Sequence, residues 1–265
     1  MIYNAKENRL NIGDIQIDYI TFGKGDKPLV MIQGLNTRDI NGAAVSLAHM
    51  YRIFTKNYKV YVFNRRRYVF DGITVRDLAK DIAMAMDMLK IKNADILGVS
   101  QGGMIAQYIA IDRPDLVHKL VLAVTLSRNN DTVKEVVSNW IKITEKGNIK
   151  QLILDMSEKM YSDLYLKKYK LFIPILTILQ KPKDIKRFII LAKSCLTCNA
   201  YEELDKIKCP VFVIGGGEDK VVTSLASDEI AEKLNCKKYI YNNLGHATYE
   251  EAKDFNKRVY NFLSE

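Results

Sequence analysis

Short apolar runs alternate with longer stretches of helical period along most of the chain. Leu29-Val30-Met31-Ile32 is continuously apolar, as a parallel strand buried on both faces must be. Val60-Tyr61-Val62-Phe63, Ile96-Leu97, Leu120-Val121-Leu122-Ala123-Val124 and Val211-Phe212-Val213-Ile214 carry the same signature. Ile15-Gln16-Ile17-Asp18-Tyr19-Ile20 instead alternates apolar and polar, the mark of a half-exposed strand, and follows the turn-like Gly13-Asp14. Tyr239-Ile240-Tyr241 is a last short strand. Between the strands, Leu78, Ile82, Met86 and Leu89 share one helical face, and Ala252, Phe255, Val259 and Phe262 share another. The alternation predicts an α/β fold: a mostly parallel sheet with helices on both faces.

The pattern breaks between about Ser127 and Glu203. There the periodicity predicts four or so helices, including Thr132–Lys146 and Ile149–Tyr161, and no strand; the sheet resumes at Pro210. A length of 265 residues suits one large domain. The expected organisation is therefore a sheet domain of residues 1–126 and 204–265, interrupted by a helical insertion at 127–203.

Charge adds one detail. The net charge is +9, and residues 127–200 hold 14 Lys and Arg against 7 Asp and Glu, a balance of +7. No nucleic-acid module accompanies these cations, so a lysine-rich solvated surface is the expectation and nucleic acid is not an expected partner. The N-terminus lacks a charged-then-apolar leader, and the longest apolar run, Leu171 to Leu179, is too short to span a bilayer and contains Pro174. A cytoplasmic protein without integral membrane association is expected; the sequence carries no signal for an oligomeric state. Cys195, Cys198, Cys209 and Cys236 read as free, mostly buried thiols. The Cys195-x-x-Cys198 pair lacks the second pair a zinc site needs, so no metal is expected.

The chemistry centres on Gly98-Val99-Ser100-Gln101-Gly102, set between the apolar Asp95-Ile96-Leu97 and the helical Met104–Ala110. A serine at a strand-to-helix turn this sharp projects from the sheet, and a Cβ on either flanking glycine would crowd the backbone. Its hydroxyl needs a base, and the base a third group to hold it. Of three histidines, His49 lies in a helical stretch and His118 at a strand entry. His246 stands in a loop between the last strand and the last helix, where open α/β sheets place their chemistry. The acid expected is Asp219, in the glycine-rich loop Gly215-Gly216-Gly217-Glu218-Asp219-Lys220 after the Val211 strand. Glu218 is its neighbouring alternative and Asp131 a variant one, while a purely capping role for Asp219 requires a helix starting near Thr223.

In the order Ser100, Asp219, His246, and over nearly its full length, the chain resembles the α/β-hydrolase superfamily. Ile111-Asp112-Arg113-Pro114-Asp115-Leu116-Val117 looks like that family's exit from the nucleophile helix. Ile207-Lys208-Cys209-Pro210-Val211 looks like its approach to the acid loop. The resemblance implies that the insertion is a lid, and that the Leu35 and Gln101 backbone amides form the oxyanion hole. One departure stands out: Gln33-Gly34-Leu35-Asn36 replaces the family's usual His-Gly. Gln33 and Asn36 are placed to add or remove a side-chain hydrogen bond and so to alter substrate range.

These residues predict a serine hydrolase that acts on small carboxylic esters or related acyl compounds through an acyl-serine, with no metal or organic cofactor. Its expected partner is a small-molecule acyl substrate. Leu171–Leu176 would roof an acyl pocket, with Tyr161, Tyr165 and Tyr169 at helical spacing beside it. Arg65-Arg66-Arg67, after the Val60 strand, either meets an anionic group on the substrate or is solvated or paired with the lid. A carbon–carbon bond hydrolase, a short-peptide peptidase or a small-molecule receptor of the same fold are the alternatives.

Overall fold

A computed structural model describes residues 2–169, 182 and 184–265. Eight strands form one sheet in the order β1-β2-β4-β3-β5-β6-β7-β8. They are β1 (Lys6–Ile12), β2 (Ile15–Phe22), β3 (Lys27–Ile32), β4 (Tyr58–Phe63), β5 (Ala94–Val99), β6 (Val117–Ala123), β7 (Val211–Gly216) and β8 (Lys237–Tyr241). β1 and β2 form an antiparallel hairpin, β2 meets β4 antiparallel, and every later pairing is parallel. The parallel strands therefore all end on the same edge.

Continuous apolar runs form the central strands because both of their faces are covered. Leu29, Met31, Leu97, Val121 and Phe212 point to one layer with Leu47 and Ala48 of α1 (Ala44–Met50) and Phe255, Val259 and Phe262 of the C-terminal helix Phe255–Ser264. Val30, Ile32, Ile96, Leu120, Leu122 and Val213 face the other layer. There they meet α2 (Val75–Met88), α3 (Gln101–Asp112) and the helix Ser224–Leu234. In α2 the predicted stripe is the buried one: Leu78, Ile82 and Met86 are at most 1% exposed. Burying each stabilises the fold by roughly 1.5–3 kcal/mol. Thr74 and Asp77 cap its start reciprocally. α3 differs, since Gln101 to Ile111 are all buried, and it is the central helix against which later elements pack.

Between β6 and β7 the described residues form α4 (Asp131–Glu145), α5 (Ile149–Met160), α6 (Asp163–Tyr169) and α7 (Ile185–Cys195). Asn130, Asn148 and Asp184 cap three of these helices with side-chain oxygens. The Trp140 indole N–H donates to Asp155 at 2.8 Å, tying α4 to α5. The segment leaves and re-enters the sheet domain at one place, where Arg128 bridges Asn199 and the Ala200 amide donates to Ser127 at 2.6 Å. Among the described residues no helix is long and apolar enough to cross a membrane.

One strand had no signal in the sequence, and two sequence expectations need correction or placement. β1 has no apolar run; Lys6 to Ile12 forms an edge strand because Gly13, at φ +58°, turns the chain back onto β2. The last helix starts at Phe255, with Ala252 outside it as the end of the one-turn helix Thr248–Glu251. The expected roof Leu171–Leu176 lies outside the described residues.

Candidate active site

The C-terminal edge of the sheet brings Ser100, Asp219 and His246 together. β5 ends at Val99, and Ser100 begins α3 with φ 53° and ψ −120°, a strained conformation for a residue with a Cβ. The glycines beside it explain how the turn fits. A Cβ on Gly102 would lie 1.9 Å from the Ile32 carbonyl oxygen, and one on Gly98 would lie 2.5 Å from the Gly102 carbonyl oxygen. The Ser100 amide donates to Ala123 at 2.9 Å, and its carbonyl accepts from Gly103, Met104 and the Thr125 hydroxyl, the last at 2.7 Å.

The partners arrive on two loops that pack against each other. A Cβ on Gly216 would come 2.1 Å from the Gly245 carbonyl oxygen, and the Glu218 amide donates to Leu244 at 3.0 Å. Asp219 is buried. Its Oδ1 accepts from the Val221 and Val222 amides at 2.8 and 2.9 Å, leaving Oδ2 to His246 Nδ1 at 2.8 Å. A carboxylate there requires the proton on Nδ1, so the lone pair of Nε2 faces Ser100 Oγ, 2.9 Å away. The imidazole itself is only 3% exposed.

The other candidates fall away by position. Glu218 is exposed, and Asp131 is fully exposed beside Lys134. Asp219 does not cap the following helix, whose N-cap is Thr223. His49 is exposed on α1, and His118 bonds Asp95 at 2.8 Å, where β6 begins rather than ends.

The loop after β3 closes over the serine: a Cβ on Gly34 would stand 3.2 Å from Ser100 Cβ and 3.8 Å from its Oγ. Leu35 follows Gly34 on that loop, and Gln101 is the first residue of α3, at the positive end of that helix. Asn36 Nδ2 donates to Gln33 Oε1 at 3.2 Å, a bond between the two side chains singled out in the sequence. The Gln101 side chain turns away and donates to Leu191, Ser194 and Cys195 of α7 at 2.7, 3.2 and 3.1 Å.

Arg65 has a different place from the one expected of a substrate contact. It is 4% exposed, and Nη2 donates to the carbonyls of Gln33 and, at 3.0 Å, Gly34. Burial, with Arg187 nearby, pushes its guanidinium down to about 10. Arg66 pairs with Asp81 and Arg67 with Asp18, while Arg187 of α7 donates to the backbone carbonyls of all three arginines at 3.0–3.3 Å. Arg187 and Thr125 were not apparent from the sequence, because both act on backbone carbonyls, which no residue pattern marks.

Burial raises the Cys195 and Cys198 thiols to about 11 and about 12. Both are buried and not joined by a disulfide, and no metal-holding cluster of His, Cys, Asp or Glu exists among the described residues.

A family model described as the alpha/beta hydrolase fold matches residues 27–145. A 2-hydroxy-6-oxononadienedioate/2-hydroxy-6-oxononatrienedioate hydrolase of a Pseudomonas species is 26% identical over 219 residues, covering 80% of this chain and 74% of the relative. The enol-lactonase of Burkholderia xenovorans LB400 superposes with a TM-score of 0.85 at 19% identity, over 97% of this chain and all of its own. MGS-M2, an alpha/beta hydrolase enzyme from a Medee basin deep-sea metagenome, gives 0.85 at 21% identity over 97% and 98%.

Proposed function

We propose that the chain, whose residues 27–145 match the alpha/beta hydrolase fold model, is a member of the α/β-hydrolase superfamily and a serine hydrolase of small carboxylic esters or related acyl compounds such as lactones and thioesters. The observation that carries this reading is the unbroken hydrogen-bonded line from Ser100 Oγ through His246 to Asp219, at 2.9 and 2.8 Å. His246 Nε2 takes the hydroxyl proton as Ser100 Oγ attacks the acyl carbon. The oxyanion that forms is held by the Leu35 and Gln101 amides. His246 then hands its proton to the departing oxygen, nitrogen or sulfur, leaving an acyl-serine. Water deprotonated by the same imidazole releases the acid and restores the serine. Asp219 keeps the imidazole in the working tautomer and offsets its transient charge.

In this reading residues 127–203 act as a lid over a core of 1–126 and 204–265. The bonds from Gln101 and the arginine loop to α7 support that role, since they tie the segment to the Gly98–Gly102 turn and to the loop that carries Gln33 and Gly34.

Hydrolysis of a panel of short p-nitrophenyl esters and lactones tests the proposal. Ser100→Ala is expected to lower kcat by roughly 10⁴-fold or more with the fold retained by circular dichroism, and a fluorophosphonate should label the native protein at Ser100 alone. An equally active variant, or labelling elsewhere, rejects the assignment.

A further inference from the structure

In the serine-hydrolase reading, on which this inference rests, the Leu35 and Gln101 amides hold the oxyanion. Each N–H is one end of a planar trans peptide group whose other end is a carbonyl, that of Gly34 for Leu35 and that of Ser100 for Gln101. The two ends point in opposite directions, so a donor placed on the carbonyl fixes the direction of the N–H. It also draws charge along the group and makes the N–H a stronger donor.

Both carbonyls carry such a donor. On one arm it is the Arg65 guanidinium, bonded to the Gly34 carbonyl at 3.0 Å. On the other it is the Thr125 hydroxyl, bonded to the Ser100 carbonyl at 2.7 Å. Helix formation does not call for this second bond. The Ser100 carbonyl already accepts from the Gly103 and Met104 amides, at 2.8 and 3.1 Å, which matches its two lone pairs. Two neighbouring residues are nevertheless shaped around the hydroxyl. Val124, just before Thr125, is held at φ +44°, a costly conformation for a β-branched side chain. Gly103, which the Gly98–Gly102 pattern does not require, makes the room: a Cβ there would stand 2.6–2.7 Å from the Thr125 side chain. Thr125 is 1% exposed, so its hydroxyl has no solvent as an alternative partner.

We propose that Thr125 is a positioning residue for the oxyanion: through the Ser100 carbonyl it aligns and polarises the Gln101 amide, as Arg65 does for the Leu35 amide from the opposite arm. Thr125 acts through the backbone, and the bonds made and broken at Ser100 are those already described. The strain at Val124 and the glycine at 103 belong to the same device.

The test compares p-nitrophenyl acetate with its thiono analogue, in which sulfur replaces the carbonyl oxygen. The leaving group is the same, but sulfur is the poorer hydrogen-bond acceptor, so the ratio of the two kcat/KM values reads the oxyanion amides. Thr125→Ala is expected to lower kcat on the oxygen ester by roughly tenfold, with KM little changed, and to lower the oxygen-to-sulfur ratio by about the same factor. Thr125→Ser keeps the hydroxyl without the methyl group and is expected to hold both near their native values. The pH profile of kcat/KM, which reports His246, should keep its shape in both variants. A native ratio in Thr125→Ala, or an equal fall in Thr125→Ser, assigns Thr125 to packing alone; it overturns the proposal and leaves the hydrolase reading intact. If Thr125→Ala does not fold, Thr125→Cys takes its place with a weaker donor, and a native ratio there overturns the proposal as well. If the native protein cleaves neither ester, the hydrolase reading fails and the proposal falls with it.

Discussion

Two carbonyls, of Gln33 and Gly34, converge on the buried Arg65 guanidinium, and this contact fixes the peptide planes just before the Leu35 amide. Arg65 is thus a positioning residue for the proposed oxyanion hole, in a chain whose loop begins with Gln33. Arg65→Ala is expected to lower kcat on the order of 10²-fold, the scale of one lost oxyanion donor, with KM little changed. Millimolar guanidinium should restore part of the rate by refilling the space; loss of kcat without such rescue would mean that the variant damages packing rather than the loop. Asp219→Asn makes the complementary point. It keeps the size but no longer requires a proton on Nδ1, so kcat should fall by roughly 10⁴-fold while the melting temperature shifts by a few degrees at most. The convergence of Ser100, Asp219 and His246 was legible in the sequence because the proposed chemistry demands particular residue types at strand ends. Arg65 was visible only as a cation, and its partners, being backbone carbonyls, left no trace to read.

At the scale of elements, the Gly98–Gly102 turn holds both a residue of the proposed chemistry and residues kept for packing. Gly102→Ala would drive a methyl group into the Ile32 carbonyl, 1.9 Å away, so it should cost more than about 4 kcal/mol and yield little folded protein. Ser100→Ala removes one partly exposed hydrogen bond and should change stability by about 1 kcal/mol. Denaturant titration of the two variants distinguishes them; similar losses would contradict this account of the turn. A second strained residue supports the Ser100 turn from the end of the neighbouring strand. Val124 has φ +44°, rare for a β-branched side chain, and sets Thr125 beneath the Ser100 carbonyl. The buried central strands were readable because both faces demand apolar side chains. β1 was not, since an edge strand needs only a hairpin partner: Lys6, Glu7, Asn8 and Arg9 pair with β2 through the backbone, joined by side-chain bonds from Asn8 to Thr21 and from Arg9 to Asp18. Ala252 fits the apolar period of the last helix yet lies outside it, because a short helix already ends there.

Across the whole molecule, the inserted helices are fastened to the loop that carries His246. The Met160 carbonyl accepts from Ala247 at 2.8 Å, Tyr161 donates to Glu250, and the Ser162 amide and hydroxyl both donate to Glu251, at 2.9 and 2.5 Å. One of these fastenings carries a thermodynamic cost. Because the folded protein raises the Glu250 carboxyl above its ordinary value of 4.5, the native state holds that proton more tightly than the unfolded chain. The resulting stability is fully present below the unfolded value and is lost as pH rises through the folded one. Glu250→Gln keeps an acceptor for Tyr161 without the charge. Its melting temperature relative to the native protein should therefore be lower or equal near pH 4 and should climb steadily toward pH 7, as followed by scanning calorimetry. A difference that stays constant across that range would show that Glu250 titrates alike in both states.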